Sequence, residues 1–382
     1  MDFTLTDEQE LLRSALAGFL GARYELVKSR TAAKVGAGWQ PAIWRGFADE
    51  LGILGATLPE RVDGLGGGPV ELMVIAEELG RALVVEPFVD TVVIGAGLLD
   101  RSGGERADAV LRQIVSGDAR TAFAALEPTS GQTLHDVSTT ARRDGEAWLL
   151  DGAKTVVTSA PLATHLLITA RTAGDRRDQR GISLFCTEFD ADNPPAGVEV
   201  HSYRTIDDRV AADLTFTGYA LPADAVLGVE GTAWVAIEPT IDEAIAAICA
   251  EAVGCMRKVL ADTLDYVKQR KQFGQPIGSF QALQHRMVDM YMELEQAIAA
   301  VYLAIYSLQA DQPTRARAVS AAKVTVSRAA RFIGQNAVQL HGAMGMTEEL
   351  AIGHYFKRLT AIHQEFGTPT THLTRYATLT RP

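Results

Sequence analysis

Apolar positions along the chain recur first with a helical period, then in alternation, then with a helical period again. Behind Thr6-Asp7-Glu8-Gln9, Leu12, Leu16 and Phe19 share one helical face. Thr6 and Gln9 have the spacing of a capping box, in which each side chain satisfies a free backbone N–H of the first turn. Further helices are expected over residues 41–51, with Trp44 and Phe47, and over 70–82, 90–99 and 107–115. The loop over 59–68 is rich in glycine. Near Thr121 the period changes. Residues 121–126, 137–142, 147–150, 154–158, 165–170, 182–189 and 211–216 read as strands, with Asp144-Gly145 and Asp151-Gly152 as type I′ hairpin turns between them.

From about Trp234 the helical period returns. Leu283, Met287, Met290, Leu294, Ala297 and Val301 form one stripe. Val319, Ala322, Val326, Ala330, Ile333, Ala337 and Leu340 form a second, opened by Asp311 and Pro313. Two such stripes are what an antiparallel bundle buries. The pattern therefore predicts an α+β protein: an N-terminal helical domain over 1–118, a central β barrel or sandwich over 119–230 and a C-terminal four-helix bundle over 231–382.

Composition narrows the partners. The 382 residues are 47% hydrophobic and 22% charged, with a net charge of -11, which argues against nucleic acid or an anionic membrane as the main partner. An anionic ligand would need a local basic pocket. Cys186, Cys249 and Cys255 fit no disulfide framework or metal spacing, and Cys249 and Cys255 read as core filler. No apolar run reaches the roughly 20 residues of a membrane span, and Met1-Asp2-Phe3 does not open a signal peptide, so a cytoplasmic protein is expected. His285, His341, His363 and His372 belong to no triad or metal cluster.

The stretch Tyr266–Gln281 carries the first candidate chemistry. A helix bearing Arg270 and Lys271 is broken by Gln272-Phe273-Gly274-Gln275-Pro276, and a new helix is expected behind Ser279 as its cap. An Arg fork beside a fresh helix N-terminus makes an anion clamp; by spacing alone it is equally an ordinary helix–turn–helix corner. Arg270-x-x-Phe273-Gly274 followed by Phe280-Gln281 resembles the signature of the acyl-CoA dehydrogenase family. So do Gln339-Leu340-His341-Gly342-Ala343-Met344-Gly345, Leu54–Pro59 with Gly64-Leu65-Gly66, and Glu77–Ala82. The resemblance covers essentially the whole chain. It implies FAD-dependent α,β-dehydrogenation of an acyl-CoA thioester, with an electron-transfer flavoprotein as acceptor and a tetrameric assembly. Arg270, Phe273, Gln281, Gln339 and Gly342 are then the residues that touch the FAD of a neighbouring subunit.

The remaining family motifs are altered. The flavin cradle Thr-Glu-Pro-x-x-Gly-Ser is here Leu126-Glu127-Pro128-Thr129-Ser130-Gly131-Gln132, and Trp-Ile-Thr is Val156-Val157-Thr158, leaving Thr158 as the one candidate flavin partner. The Asp-x-x-Arg that anchors CoA reads Asp242-Glu243-Ala244-Ile245. Tyr-Glu-Gly-Thr, which holds the catalytic base, reads Glu365-Phe366-Gly367-Thr368, so Phe366 occupies the base position and Ala244 the alternative one. Glu365 is the candidate base, displaced by one residue. Groups that serve a neighbour's FAD are kept, and groups that serve the chain's own site are lost. This implies a subunit that works with a related, catalytic partner chain, as in bacterial heteromeric enzymes of sterol side-chain breakdown. The alternatives are a self-sufficient homotetramer using Glu365 or Glu243, and a flavin-free scaffold.

Overall fold

The computed structural model describes residues 4–380. In chain order these form α1 (Asp7–Arg23), α2 (Leu26–Val35), α3 (Pro41–Asp49), α4 (Pro69–Arg81), a π-helical turn at Val89–Gly95, α5 (Ala96–Ser102) and α6 (Glu105–Val115). Strands follow: β1 (Thr121–Ala124), β2 (Thr140–Asp144), β3 (Ala147–Thr158), β4 (His165–Arg171), β5 (Ile182–Glu188), β6 (Val198–Arg204), β7 (Val210–Pro222) and β8 (Val226–Leu227). Last come α7 (Trp234–Gln269), the short strands β9 (Lys271–Gln272) and β10 (Gln275–Pro276), α8 (Gln281–Ser307), α9 (Gln312–His341), α10 (Ala351–Gln364) and α11 (Pro369–Thr380). This is the predicted order of helices, strands and helices. The chain divides into two compact units: a helical one from residues up to 29, 68–84 and 245 onward, and a mixed one from 30–67 and 85–244.

In the helical unit, the Thr6–Gln9 capping box forms as the spacing predicts, and Asp311 caps α9 by accepting from the Thr314 N–H. The α9 stripe is buried throughout, from Val319 to Leu340, and α8, α10 and α11 pack against it. Each buried Val or Ile contributes about 1.5–3 kcal/mol over its exposed state. Two glycines set the approach of α4 to α7. A Cβ on Gly254 would lie 1.8 Å from the Glu77 carbonyl oxygen, and one on Gly80 would lie 2.0 Å from that of Glu251. Cys249 and Cys255 are buried here as core residues. No described helix is long and apolar enough to cross a membrane.

The mixed unit holds one eight-stranded sheet in the order β6-β7-β3-β2-β4-β5-β8, with β1 paired in parallel to β4. Every residue of β4 is buried, and six of the seven in β5, so these strands read as apolar runs rather than alternations. Trp148 is buried against Phe185, ring centroids 5.3 Å apart.

Two turn expectations need correction. The β2–β3 hairpin does turn at Asp144-Gly145, but only Gly145 (φ 61) is left-handed and Glu146 is not. That is the type II′ pattern, since type I′ needs both central residues at positive φ. Asp151-Gly152 is no turn at all: β3 runs through it as a single strand. The register against β7 slips there by one residue, and the Asp151 carboxylate accepts the Gly218 N–H at 2.7 Å. The local Asp-Gly signal marks a bulge rather than a reversal. A second bulge on β3, at Thr155–Val156 opposite Asp213, shapes the site described below.

Glu127, in the loop after β1, is buried and meets the fully buried Lys154 at 2.8 Å. Burial pushes its carboxyl up, but the Lys154 ammonium, the Ser138 hydroxyl and the Thr139 N–H outweigh this and hold it at about 2. The folded value lies below the ordinary 4.5, so the Glu127 carboxylate's contribution is complete above pH 4.5 and is lost as pH falls through 2. Replacing Lys154 with Met should raise the folded pKa of Glu127 by a unit or more (about 1.4 kcal/mol per unit). Melting temperatures of Lys154→Met should then begin to fall at higher pH than in the parent chain. Superimposable pH profiles would contradict this reading of the pair.

Candidate functional site

The end of α7 leads straight into the clamp residues. The α7 helix closes with the Arg270 N–H on the Tyr266 carbonyl (2.8 Å), and β9 and β10 then pair across Phe273-Gly274. Both loop residues are left-handed, φ 54 and 80, a type I′ turn that favours Asn-Gly. A left-handed Phe costs about 1 kcal/mol or more. Its ring is nonetheless 92% exposed, touching Phe280 edge-on at 6.1 Å. Ser279 does not cap α8 as expected: its hydroxyl donates to the Pro276 carbonyl at 2.7 Å, and Phe280 is the N-cap residue. Gln281 opens α8 and is exposed.

The other half of the clamp lies at the end of α9. Gln339 is exposed in the last turn, and Gly342, at φ 62, ends the helix. Tyr266 and His341 join the two halves. Their rings stack at 4.2 Å and 26°, and the Tyr266 hydroxyl donates to the His341 carbonyl at 3.3 Å. The His341 ring is fixed in turn by Nδ1 donating to the Ala337 carbonyl at 2.9 Å. The side chains of Arg270, Gln281 and Gln339 are exposed and make no hydrogen bond to another described residue.

Thr158, the candidate flavin partner, has a different environment. It ends β3 just beyond the second bulge, and its hydroxyl donates to Asp90 Oδ1 at 2.7 Å. The neighbouring Ser159 hydroxyl donates to Asp90 Oδ2. On the bulge itself, Asp213 accepts from the Thr155 hydroxyl (2.8 Å), the Val156 N–H (2.9 Å) and the Tyr203 hydroxyl (2.9 Å). Burial raises the Asp213 carboxyl, but these donors outweigh it and lower its pKa. Burial and the Asp213 charge push Tyr203 up to about 12. Val156, where the family has Trp, is left-handed at φ 51 and exposed.

Glu365 lies at the C-terminus of α10, with Phe366 behind it at φ 54. Its carboxylate is gripped by Arg358, Nη1 to Oε1 at 2.6 Å and Nη2 to Oε2 at 3.2 Å. The same guanidinium holds Glu251 of α7, Nε to Oε1 at 2.6 Å and Nη2 to Oε2 at 2.8 Å. Arg358 and Glu251 are buried, while the Glu365 side chain is 27% exposed. The chain behind the triad is also pinned. His372 Nε2 donates to the Phe366 carbonyl at 3.0 Å, and the buried Lys323 ammonium bonds to the Ile362 carbonyl. Both oxygens that a proton acceptor would use are thus committed to Arg358.

The sequence did not single out Asp90, Arg358, Glu251 or the Tyr266–His341 stack. Arg358 and Glu365 are seven residues apart, two turns on one helical face, so their pairing was open to inspection. Asp90 has no such signal, because its partners lie 68 and 69 residues away. No described group of three or more His, Cys, Asp or Glu is placed to hold a metal.

Comparison with known proteins fits this picture. Residues 6–118, 122–218 and 234–377 match, in turn, the N-terminal, middle and C-terminal domain models of acyl-CoA dehydrogenases. The chain belongs to the acyl-CoA dehydrogenase family, FAD-dependent oxidoreductases that act on the CH–CH bond of acyl-CoA thioesters. It is similar to the acyl-CoA dehydrogenase FadE12 of Mycobacterium tuberculosis, 30% identical over 366 residues, which is 92% of this chain and 90% of FadE12. Among solved structures, a variant of the Tcur3481-Tcur3483 steroid ACAD matches with a TM-score of 0.86, 28% identity and 98% of each chain covered. The ChsE4-ChsE5 complex from Mycobacterium tuberculosis matches with a TM-score of 0.88, 25% identity and 100% of each chain covered.

Proposed function

We propose that this chain is the base-lacking subunit of a heteromeric acyl-CoA dehydrogenase, lending its clamp to FAD held by a related catalytic chain. One contrast carries the proposal. The Arg270, Gln281 and Gln339 side chains are exposed and make no hydrogen bond to another described residue, whereas Thr158 and Glu365 have their hydrogen bonds taken up inside the chain. Arg270 supplies a planar fork for pyrophosphate oxygens. Gln281 and Gln339 add amide donors, Gly342 permits close backbone approach, and the Phe273 ring covers apolar cofactor surface. In a chain of net charge -11, the run Lys268-Gln269-Arg270-Lys271 gives the local positive field that an anionic cofactor needs.

Bound FAD would supply the hydride-accepting chemistry, and the α-proton would go to a carboxylate on the partner, because Phe366 fills that position here. Two of the similar solved structures bear the names of paired proteins. A steroid ACAD among them makes bulky sterol-derived thioesters the substrate class to try first, with an electron-transfer flavoprotein as acceptor. The test is to purify the chain alone and after co-expression with a related chain that keeps Tyr-Glu-Gly-Thr. The expected result is a colourless, inactive protein alone and a yellow, active complex. A yellow chain whose flavin is bleached by an acyl-CoA without any partner would favour a self-sufficient enzyme using Glu365. A complex that stays colourless would favour an assembly scaffold.

A further inference from the structure

The segment 155–159 is where this chain's own flavin would be met, and its hydroxyl donors and the Val156 N–H are already spent. Oxidised isoalloxazine presents acceptors at N1, O2, O4 and N5, with N3–H its one donor, so a protein segment facing it mainly needs N–H or O–H groups to give. Here Asp213 takes the Thr155 hydroxyl and the Val156 N–H, and Asp90 takes the hydroxyl protons of Thr158 and Ser159. Two carboxylates therefore stand behind the segment, and Thr158 offers only lone pairs outward.

Asp90 is aimed by the backbone around it. It lies in the π-helical turn Val89–Gly95, a local widening of the kind found at functional sites. The Asp90 carbonyl accepts the Thr121 hydroxyl at 3.0 Å, and the Thr121 N–H donates to Thr91 Oγ1 at 3.2 Å. These bonds tie the turn to the start of β1. A Cβ on Gly95 would lie 1.8 Å from Thr121 Oγ1, so the turn can sit this close only with glycine there. Ser159 is itself left-handed, φ 59, and its N–H donates to the Val210 carbonyl at 2.9 Å, which holds its hydroxyl toward Asp90.

We propose that Asp90 is the positioning residue that closes this chain's own flavin cradle. Its carboxylate accepts from the Thr158 and Ser159 hydroxyls, leaving no hydroxyl donor and a negative field where the flavin's acceptor edge would lie. This rests on the reading that the chain serves a partner's cofactor, and adds what keeps its own cradle empty.

The probe is FAD itself, titrated into the purified full chain and followed by quenching of flavin fluorescence. The parent chain should show no saturable quenching. Asp90→Ala, which frees both hydroxyls and removes the charge, should bind FAD at least about tenfold more tightly (about 1.4 kcal/mol). Asp90→Asn, isosteric and uncharged, should fall between the two and serves as the test if Asp90→Ala does not fold. Adding Thr158→Val to Asp90→Ala should remove much of the gain, leaving the part owed to the freed Ser159 hydroxyl and the lost charge. Folded Asp90 variants that bind no better than the parent chain would overturn the proposal, as would a gain left undiminished by Thr158→Val. Both failures leave the partner-serving reading standing. Saturable binding of one FAD by the parent chain would overturn both.

Discussion

Replacing Arg270 with Ala should strip FAD from the assembled enzyme while leaving this chain folded. The side chain is exposed and makes no hydrogen bond to another described residue, so its loss removes nothing that holds the subunit together. In the proposed complex it would face phosphate oxygens, and charge-assisted hydrogen bonds of this kind contribute about 1.5–3 kcal/mol. The expected weakening of FAD affinity is therefore roughly ten- to hundredfold. Phe273→Ala should act in the same direction; alanine keeps the Cβ and so the left-handed strain, and the lost ring is 92% exposed, so its melting temperature alone should change little. The measurement is flavin retained by the co-purified complex after gel filtration at moderate salt, set against the melting curve of the isolated subunit. Unchanged flavin retention with Arg270→Ala would remove this residue from the clamp.

Replacing Arg358 with Met should have the opposite profile, a large loss of stability. Glu251 is buried and would lose the guanidinium that grips both its carboxylate oxygens, and breaking one side of a buried ion pair costs about 3–5 kcal/mol. Glu365 is partly exposed and can be hydrated once released. Glu365→Gln should therefore cost only about 1 kcal/mol and change turnover of the complex by less than about twofold. A true general base would cost about a hundredfold to ten-thousandfold. Urea unfolding of both variants and steady-state rates of the complex decide the matter. If Glu365→Gln abolished turnover without affecting stability, the displaced-base reading would be revived.

How far the sequence led can be judged residue by residue. The helix stripes were legible because each apolar position depends only on neighbours three or four residues away, and Val319 through Leu340 are buried as that spacing requires. Strands were legible where burial is strong, as in β4 and β5. The edge strand β6 was not recognised: mostly solvent-facing, it lacks the apolar alternation that marks a half-buried strand. Asp151-Gly152 misled because a turn signal is local, while pairing with β7 more than sixty residues later carries the strand through it. In the site, the losses at Phe366, Ile245 and Val156 could be seen in the letters alone. What the letters could not give is where the surviving polar groups spend their hydrogen bonds. That depends on contacts such as Thr158 with Asp90, and Arg358 with Glu251, 107 residues away.

The most direct measurement is the amount of FAD per polypeptide in the co-purified complex, from flavin absorbance and quantitative amino-acid analysis. One FAD for every pair of unlike chains is the predicted result. One FAD for every chain would contradict it.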